Sequence, residues 1–242
     1  MNPTPTLKRS NDRKVTNAVS PNGKTPTIAN TFGLPAGKEY SCPGETPTCK
    51  KVCYAGKLEK IYKGVKETLI HNWDLLNNAT YEEMIILLDQ MIVDFKKDCD
   101  KRNAEKLFRI HWDGDFFNDT YTLAWKTVIE NHSDVRFWVY TRVASAARIL
   151  KDVSNLGLYY STDGDNKNIA QGLSGEGIKL AYLSTTFALG KEDMLNLIGK
   201  SAVKCPENNK KIPLISKQGS ACVTCGQCVF ERNNILFSSS KK

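Results

Sequence analysis

Seven of the eight cysteines in this 242-residue chain gather in two places. Cys42, Cys49 and Cys53 lie in the stretch SCPGETPTCKKVCYA, and Cys205, Cys222, Cys225 and Cys228 lie toward the C-terminus. The eighth, Cys99, falls in an expected helix between Asp98 and Asp100. A structural cysteine behaves as a small hydrophobe and scatters among core positions. Clustering in loops rich in Pro, Gly and Thr is the pattern of ligands. The run Cys222-x-x-Cys225-x-x-Cys228 resembles the sequence that wraps a cubane cluster, whose remaining ligand is often a Cys-Pro; here Cys205-Pro206 precedes the run. Gly226 between two ligands lets the backbone fold tightly. Four thiolates on a [4Fe-4S] cluster leave no iron open, so this site reads as structural or electron-transferring. The N-terminal set, with x6 and x3 spacing, offers three thiolates and would leave one iron open to a substrate or cofactor. Zinc is the competing metal at both places, as a four-cysteine tetrahedron or as three cysteines and a water.

The elements that must position these groups follow from hydrophobic periodicity. Residues 1–26 are rich in Pro, Thr, Asn and Lys and read as an irregular basic arm. Ile28–Leu34 reads as a short strand ended by the Pro35–Gly37 turn. After the cysteine loop, Tyr54–Asn77 and Tyr81–Arg102 have helical periodicity; in the second, Met84, Leu87, Leu88, Met91, Ile92 and Phe95 share one face. Strands are then expected at Leu107–Trp112, Val135–Thr141, Gly157–Ser161 and Ile178–Leu183. Helices are expected at Asp119–Asn131, Val143–Val153, Ile169–Leu173 and Lys191–Ile198, with Asn118 or Asp119 as an N-cap. This β–α alternation predicts parallel strands with helical crossovers, an α/β fold shaped as a partial or open parallel barrel. The expected divisions are the arm (1–26), a barrel-like domain (27–203) and a cysteine-rich C-terminal metal-binding lobe (204–242).

The chain is 40% hydrophobic and 25% charged, enough to bury a full core. No apolar run approaches the ~20 residues needed to span a bilayer. The N-terminus MNPTPTLKRSNDRK lacks the apolar segment of a secretory signal. The expected location is therefore the cytoplasm, where thiols stay reduced and disulfides are disfavoured. The net charge of +8 is unevenly spread. From Lys8 to Lys66, twelve basic residues face four acidic ones: Asp12, Glu39, Glu45 and Glu59. That bias suits a nucleic acid or another polyanion.

Four stretches together resemble the phage gene product 88 family: NGKTPTIANTFGLPAGKEYSCPGETPTCKKVCYA, HWDGDFFNDTYTLAW, VYTR and CVTCGQC. The resemblance covers nearly the whole chain beyond about Asn17 and implies a phage protein acting in the host cytoplasm. The chain is also similar, more distantly, to radical S-adenosylmethionine enzymes. Those proteins place three cysteines in a loop after the first strand of a partial barrel, the last beside an aromatic residue. Here Tyr54 follows Cys53, although the family spacing is CxxxCxxC. This likeness implies S-adenosyl-L-methionine as cofactor and an electron donor as partner. It sets Trp112-Asp113-Gly114-Asp115-Phe116 where a Gly-Gly-Glu-like segment holds the methionine ammonium. It also makes Thr141, Arg142, Ser161 and Asp163 cofactor contacts at strand ends. Asp113, Asp115 and Arg142 become the candidate catalytic residues, the arginine suited to gripping a carboxylate.

Simpler roles are open for the same residues. Asp113 and Asp115 fit a turn with Gly114 in the left-handed region. His111 suits a half-buried structural histidine, and Trp73, Trp112, Trp125 and Trp138 suit the core. Two functional readings therefore stand. One is a radical S-adenosylmethionine-like enzyme, with an open N-terminal cluster and an auxiliary C-terminal one. The other is a metal-stabilised protein that binds or processes nucleic acid, its basic N-terminal segment tracking phosphates and Asp113 and Asp115 holding a divalent cation.

Overall fold

A computed structural model of the chain describes residues 5–16 and 18–240. In chain order its elements are α1 (Pro47–Val52), α2 (Tyr54–Ile61), α3 (Lys63–Leu76), α4 (Tyr81–Arg102), β1 (Leu107–Ile110), α5 (Asp119–Asn131), β2 (Arg136–Thr141), α6 (Ala144–Leu150), β3 (Leu156–Thr162), α7 (Lys167–Gly175), β4 (Lys179–Ser184) and α8 (Phe187–Ile198). The C-terminal part adds β5 (Val203–Lys204), β6 (Ile215–Ser216), β7 (Gly219–Ser220), α9 (Ala221–Cys225) and β8 (Ile235–Ser238). Six strands form one sheet in the order β1-β2-β3-β4-β8-β5, with every pair parallel; β6 and β7 form a separate antiparallel hairpin.

Local chemistry sets the boundaries. A capping box starts α4, with Thr80 Oγ1 accepting from Glu83 N and Glu83 accepting from Thr80 N; Asn103 ends the helix in the left-handed region. Asn118 caps α5 by accepting from Tyr121 N. The strands alternate, because successive side chains point to opposite faces. Phe108, Ile110, Phe137, Val139, Leu156 and Leu158 meet α4, α5 and α6 on one face. Tyr160, Leu180, Tyr182 and Leu236 extend that layer toward α7 and α8. Each such buried Leu or Phe contributes about 1.5–3 kcal/mol.

The opposite face carries Trp138, Tyr159, Ala181 and Ile235, among others. Residues from both chain ends, Val15, Cys205, Val229 and the cysteines near it, pack there together with the short α9.

The expectations are met in part. The sheet is open: its edge strands β1 and β5 are not paired to each other, so no barrel closes among the described residues. The expected helix Tyr54–Asn77 breaks at Tyr62, whose backbone is extended (φ −114°, ψ 104°), and this frees α3 to turn Leu69, Asn72 and Leu76 inward. The C-terminal segment is not set apart from the rest, because β8 lies between β4 and β5 in the main sheet. The described part of the N-terminal arm is irregular but tied down. Leu7 and Val15 are buried, Arg9 pairs with Asp98, and Asp12 pairs with Arg109 on β1. The segment around Thr31, expected as a strand, runs parallel beside β1. Arg109 N donates to Asn30 O and Trp112 N to Phe32 O, but only Thr31 and Arg109 form a ladder bridge.

Candidate functional site

The C-terminal ends of β1, β2 and β3 carry the chain's densest buried polar network, and the N-terminal cysteine loop is hung on it. After β1 the chain turns sharply through His111, Asp113, Gly114 and Asp115. Gly114 has φ +80°, and a Cβ there would collide with Ser41 Oγ and Leu34 O, so the turn admits the loop only with glycine. Asp115 is fully committed. Its carboxylate accepts from Thr141 Oγ1 (2.6 Å), Arg142 N (2.7 Å) and Phe116 N (2.8 Å), while its own N–H donates to Ser41 Oγ. Asp163, also buried, accepts from Arg142 Nη1 (2.7 Å), Thr46 Oγ1 (2.8 Å) and Asp165 N. Thr46 is in turn the N-cap of α1, accepting from Cys49 N, with Pro47 at the first helical position. One chain of hydrogen bonds thus runs from strand ends to Cys49.

Burial raises the Asp115 carboxyl to about 6, although these donors pull it down. Burial also raises Asp113, to about 8, and the carboxyl of Glu59 facing it adds to the shift. Asp113 therefore keeps its proton near neutral pH. Asp113 Oδ2 is buried and receives no hydrogen bond from the described N–H and hydroxyl donors. The thiols of Cys42, Cys49 and Cys53 are all raised, first by burial. Further contributions come from Asp115 and Asp113 at Cys42, Cys53 and Asp163 at Cys49, and Asp113 at Cys53; Arg142 opposes the shift at Cys49. A donor set of three thiols beside an orphaned carboxylate oxygen holds its protons only until a positive centre replaces them.

His111 is buried with φ +55°; its Nε2 meets Tyr121 Oη at 2.9 Å, while Nδ1 has no partner among the described residues. Burial and then Arg109 depress it to about 3, so it is neutral. It is more buried and less satisfied than a half-exposed structural histidine. Trp125 and Trp138 are fully buried as expected.

The second constellation lies on the opposite face of the sheet, under α9 and the C-terminal segment. There a cavity of about 400 Å³ is walled by Cys205, Cys222, Cys225 and Cys228 on one side and by Tyr140, Ala181, Leu183, Ile235 and Phe237 from the sheet on the other. Cys205 follows β5, its N–H bonded to Leu236 O, and α9 carries Cys222 and Cys225. Gly157 lets this segment lie flat on β3: a Cβ there would stand 2.5 Å from Cys228 O. Burial pushes the Cys228 thiol up to about 12 and Cys222 well above its ordinary value; Cys205 is raised as well. The cavity also reaches Lys14, Arg109, Arg142 and Ser161, and Val52 and Tyr54 at the end of the N-terminal loop. Tyr54 Oη donates to Trp112 O (3.1 Å), bridging the loop to the turn after β1.

Among the described residues, no three Cys, His, Asp or Glu side chains converge closely enough to hold a single metal ion. A tetrahedral zinc would need its thiolates about 3.8 Å apart, from a Zn–S bond of about 2.3 Å. Cluster cysteines bind separate irons and ring a volume instead of a point. The four C-terminal thiols are unbridged and line one cavity.

The sequence-predicted residues Asp115, Thr141, Arg142 and Asp163 come together in one network, with Asp113 and Gly114 beside it and Ser161 at the cavity. The sequence reading missed Ser41, Thr46, Glu59, Arg109 and Tyr140. The Thr46-Pro47 pair is an N-cap signature, and Arg109 is a lone charge in an apolar strand; the other three carried no signal.

A six-stranded open parallel α/β sheet, with one cysteine group over its strand ends and the other on the face opposite α4 to α8, defines the architecture. The gene product 88 family matches residues 5–231, and the chain belongs to that family. It is 54% identical to the Gene 88 protein of Mycobacterium phage L5 over 241 residues, covering 98% of this chain and 99% of the relative. It is 53% identical to the Gene 88 protein of Mycobacterium phage D29 over 242 residues, with the same coverage. No solved structure matches it. Among the described residues no helix is long and apolar enough to cross a membrane.

Proposed function

We propose that the protein is an iron–sulfur protein with a [4Fe-4S] cluster held by Cys205, Cys222, Cys225 and Cys228. A second, with one iron open, is held by Cys42, Cys49 and Cys53. The observation that carries this reading is that four free thiols, Cys205 and the Cys222–Cys225–Cys228 run, line one cavity. The segment bearing these cysteines gives independent support. Between Cys205 and Asn234 the only buried apolar residues are Ala221 and Val229. That is too little to offset the backbone ordering cost of about 1–2 kcal/mol per residue, and a bound cluster supplies the difference.

The finer reading is a radical S-adenosylmethionine-like enzyme. An open-iron cluster with S-adenosyl-L-methionine supplies one-electron cleavage chemistry, and the protein's part is to orient the reactants and exclude water. Ser41, Thr46 and Asp115 hold the three-cysteine loop over the strand ends. Asp113, whose Oδ2 lacks a donor, would pair with a cationic ammonium once that cation displaces its proton. Arg142 and Ser161 face the cavity where a carboxylate and a substrate would lie.

Anaerobic purification with iron, zinc and acid-labile sulfide analysis tests the metal. A brown protein with stoichiometric sulfide is expected, and a colourless zinc protein ends the proposal. Incubation with S-adenosylmethionine and a reductant tests the chemistry. 5′-Deoxyadenosine should form, and Cys53→Ala should abolish it while the C-terminal site stays loaded.

A further inference from the structure

The basic bias between Lys8 and Lys66 resolves into two unlike parts. In the N-terminal arm two of the cations are spent on the fold, Arg9 pairing with Asp98 at 2.6 Å and Lys14 with Glu207 at 2.9 Å, while Lys8, Arg13 and Lys24 are exposed but have no large exposed apolar side chain among them. In α1–α3 the lysines are not spent in this way. Lys50, Lys51, Lys57, Lys60 and Lys66 are exposed and form no ion pair among the described residues, and Lys63 has only an exposed contact to Glu67 at 3.6 Å. Between these lysines stand large apolar side chains with nothing over them. Ile61 is 68% exposed, Tyr62 56% and Tyr54 54%. Tyr54, Lys57 and Ile61 recur at i, i+3 and i+7 and so share the outer face of α2. Tyr62 marks the elbow into α3. At the other end of this stripe Tyr54 stands at the rim of the cysteine-lined cavity.

We propose that this face docks single-stranded nucleic acid, which runs along α2 from the α2–α3 elbow to the cavity rim. The lysines complement a phosphate backbone. The exposed ring of Tyr62 and the apolar Ile61 match unpaired bases, which offer π-faces that a duplex keeps inside its stack. Duplex binding uses the cations and leaves these side chains idle. The inference stands apart from the metal reading, since none of its residues belongs to either cysteine set.

The test is fluorescence anisotropy of the full-length, anaerobically purified protein with labelled 20-mers of dT and of U. A 20-base-pair duplex and phosphatidylserine–phosphatidylcholine vesicles serve as comparisons. Binding of a single-stranded 20-mer is expected, weakening steeply with salt. Lys57→Ala/Lys60→Ala should lower the affinity about tenfold or more and make the salt slope shallower by about 1.4, at ~0.7 per phosphate contact. Tyr62→Ala should weaken the single strand several-fold and leave duplex binding unchanged. These exposed substitutions should not move the melting temperature, which is measured alongside. Absence of oligonucleotide binding at low salt overturns the proposal. So does preference for vesicles or duplex, or affinity unaltered in the lysine variant.

Discussion

The two cysteine regions solve the same problem by opposite means. The N-terminal loop is held by polar chemistry already present in the chain. Asp115 and Asp163 sit at strand ends, accept from the backbone and from Thr46, Thr141 and Arg142, and fix α1 before any ligand arrives. The C-terminal segment is held by single contacts spread along its length. Cys222 N donates to Lys14 O and Ser220 N to Thr16 O, Arg136 and Tyr159 donate to its carbonyls, Glu231 accepts from Leu158 N, and its thiols line a cavity. One site hangs on two buried carboxylates that each gather several donors; the other spreads its contacts one by one over the sheet face.

The largest expected effect breaks that contrast directly. Cys222→Ala/Cys228→Ala should strip iron from the C-terminal site and open residues 205–234 to limited proteolysis, with the N-terminal loop still protected. Gly157→Ala should act the same way without touching a thiol, by lifting Cys228 from β3. Protection as strong as in the parent protein would mean that the segment holds itself by packing, and the contrast would fail.

Next in size is Asp115→Ala, which leaves the Thr141 hydroxyl and the Arg142 N–H buried and unpaired. A loss of about 3 kcal/mol or more is expected in urea denaturation. The same change on the C-terminal side has no counterpart, because no carboxylate there carries such a set of donors.

Asp113 gives a pH signature. Its folded value, about 8, lies above the ordinary carboxylate value, so between pH 6 and 8 the folded metal-free protein binds a proton that the unfolded chain does not. Stability from this group is full only below the unfolded value near 4 and is lost as pH rises from there through about 8, by at most about 1.4 kcal/mol per pH unit. Asp115, near 6, is half titrated at the lower edge of this window, and His111, near 3 when folded and about 6.5 when unfolded, adds an opposing slope there, so Asp113 is read between pH 7 and 8. Asp113→Asn should flatten the pH 7–8 profile; an unchanged slope would remove the raised Asp113 carboxyl from the account.

How much of this the sequence revealed depended on whether packing or pairing made each element. Helices α4 and α5 run over the expected residues, because Thr80, Glu83 and Asn118 are local signals that need no partner. The strands β1 to β4 stand within two residues of expectation at either end, because both faces of each are buried and their apolar runs are long. By contrast β8, four residues before a serine-lysine tail, is a strand only because β4 and β5 flank it. The hairpin β6–β7 and α9 are equally short. At the site, the Asp113–Asp115 turn and Arg142 were visible as polar residues ending strands. That Asp115 and Asp163 spend themselves on the cysteine loop was not visible, since their partners Ser41 and Thr46 are 74 and 117 residues away.

The smallest effect sharpens the contrast most finely. Thr46 does two jobs: its hydroxyl accepts from Cys49 N at 3.0 Å and donates to Asp163 Oδ2 at 2.8 Å. Thr46→Val keeps the shape and removes both. A loss of about 1–2 kcal/mol is expected, with the N-cap worth ~1 kcal/mol of it. Thr46→Ser restores the hydroxyl and should return nearly all of it. Hydrogen exchange at the Cys49 amide reads the same change locally. If that amide exchanges no faster in Thr46→Val, then α1 is held by something other than the carboxylate network. The N-terminal loop would then be no more preorganised than the C-terminal one.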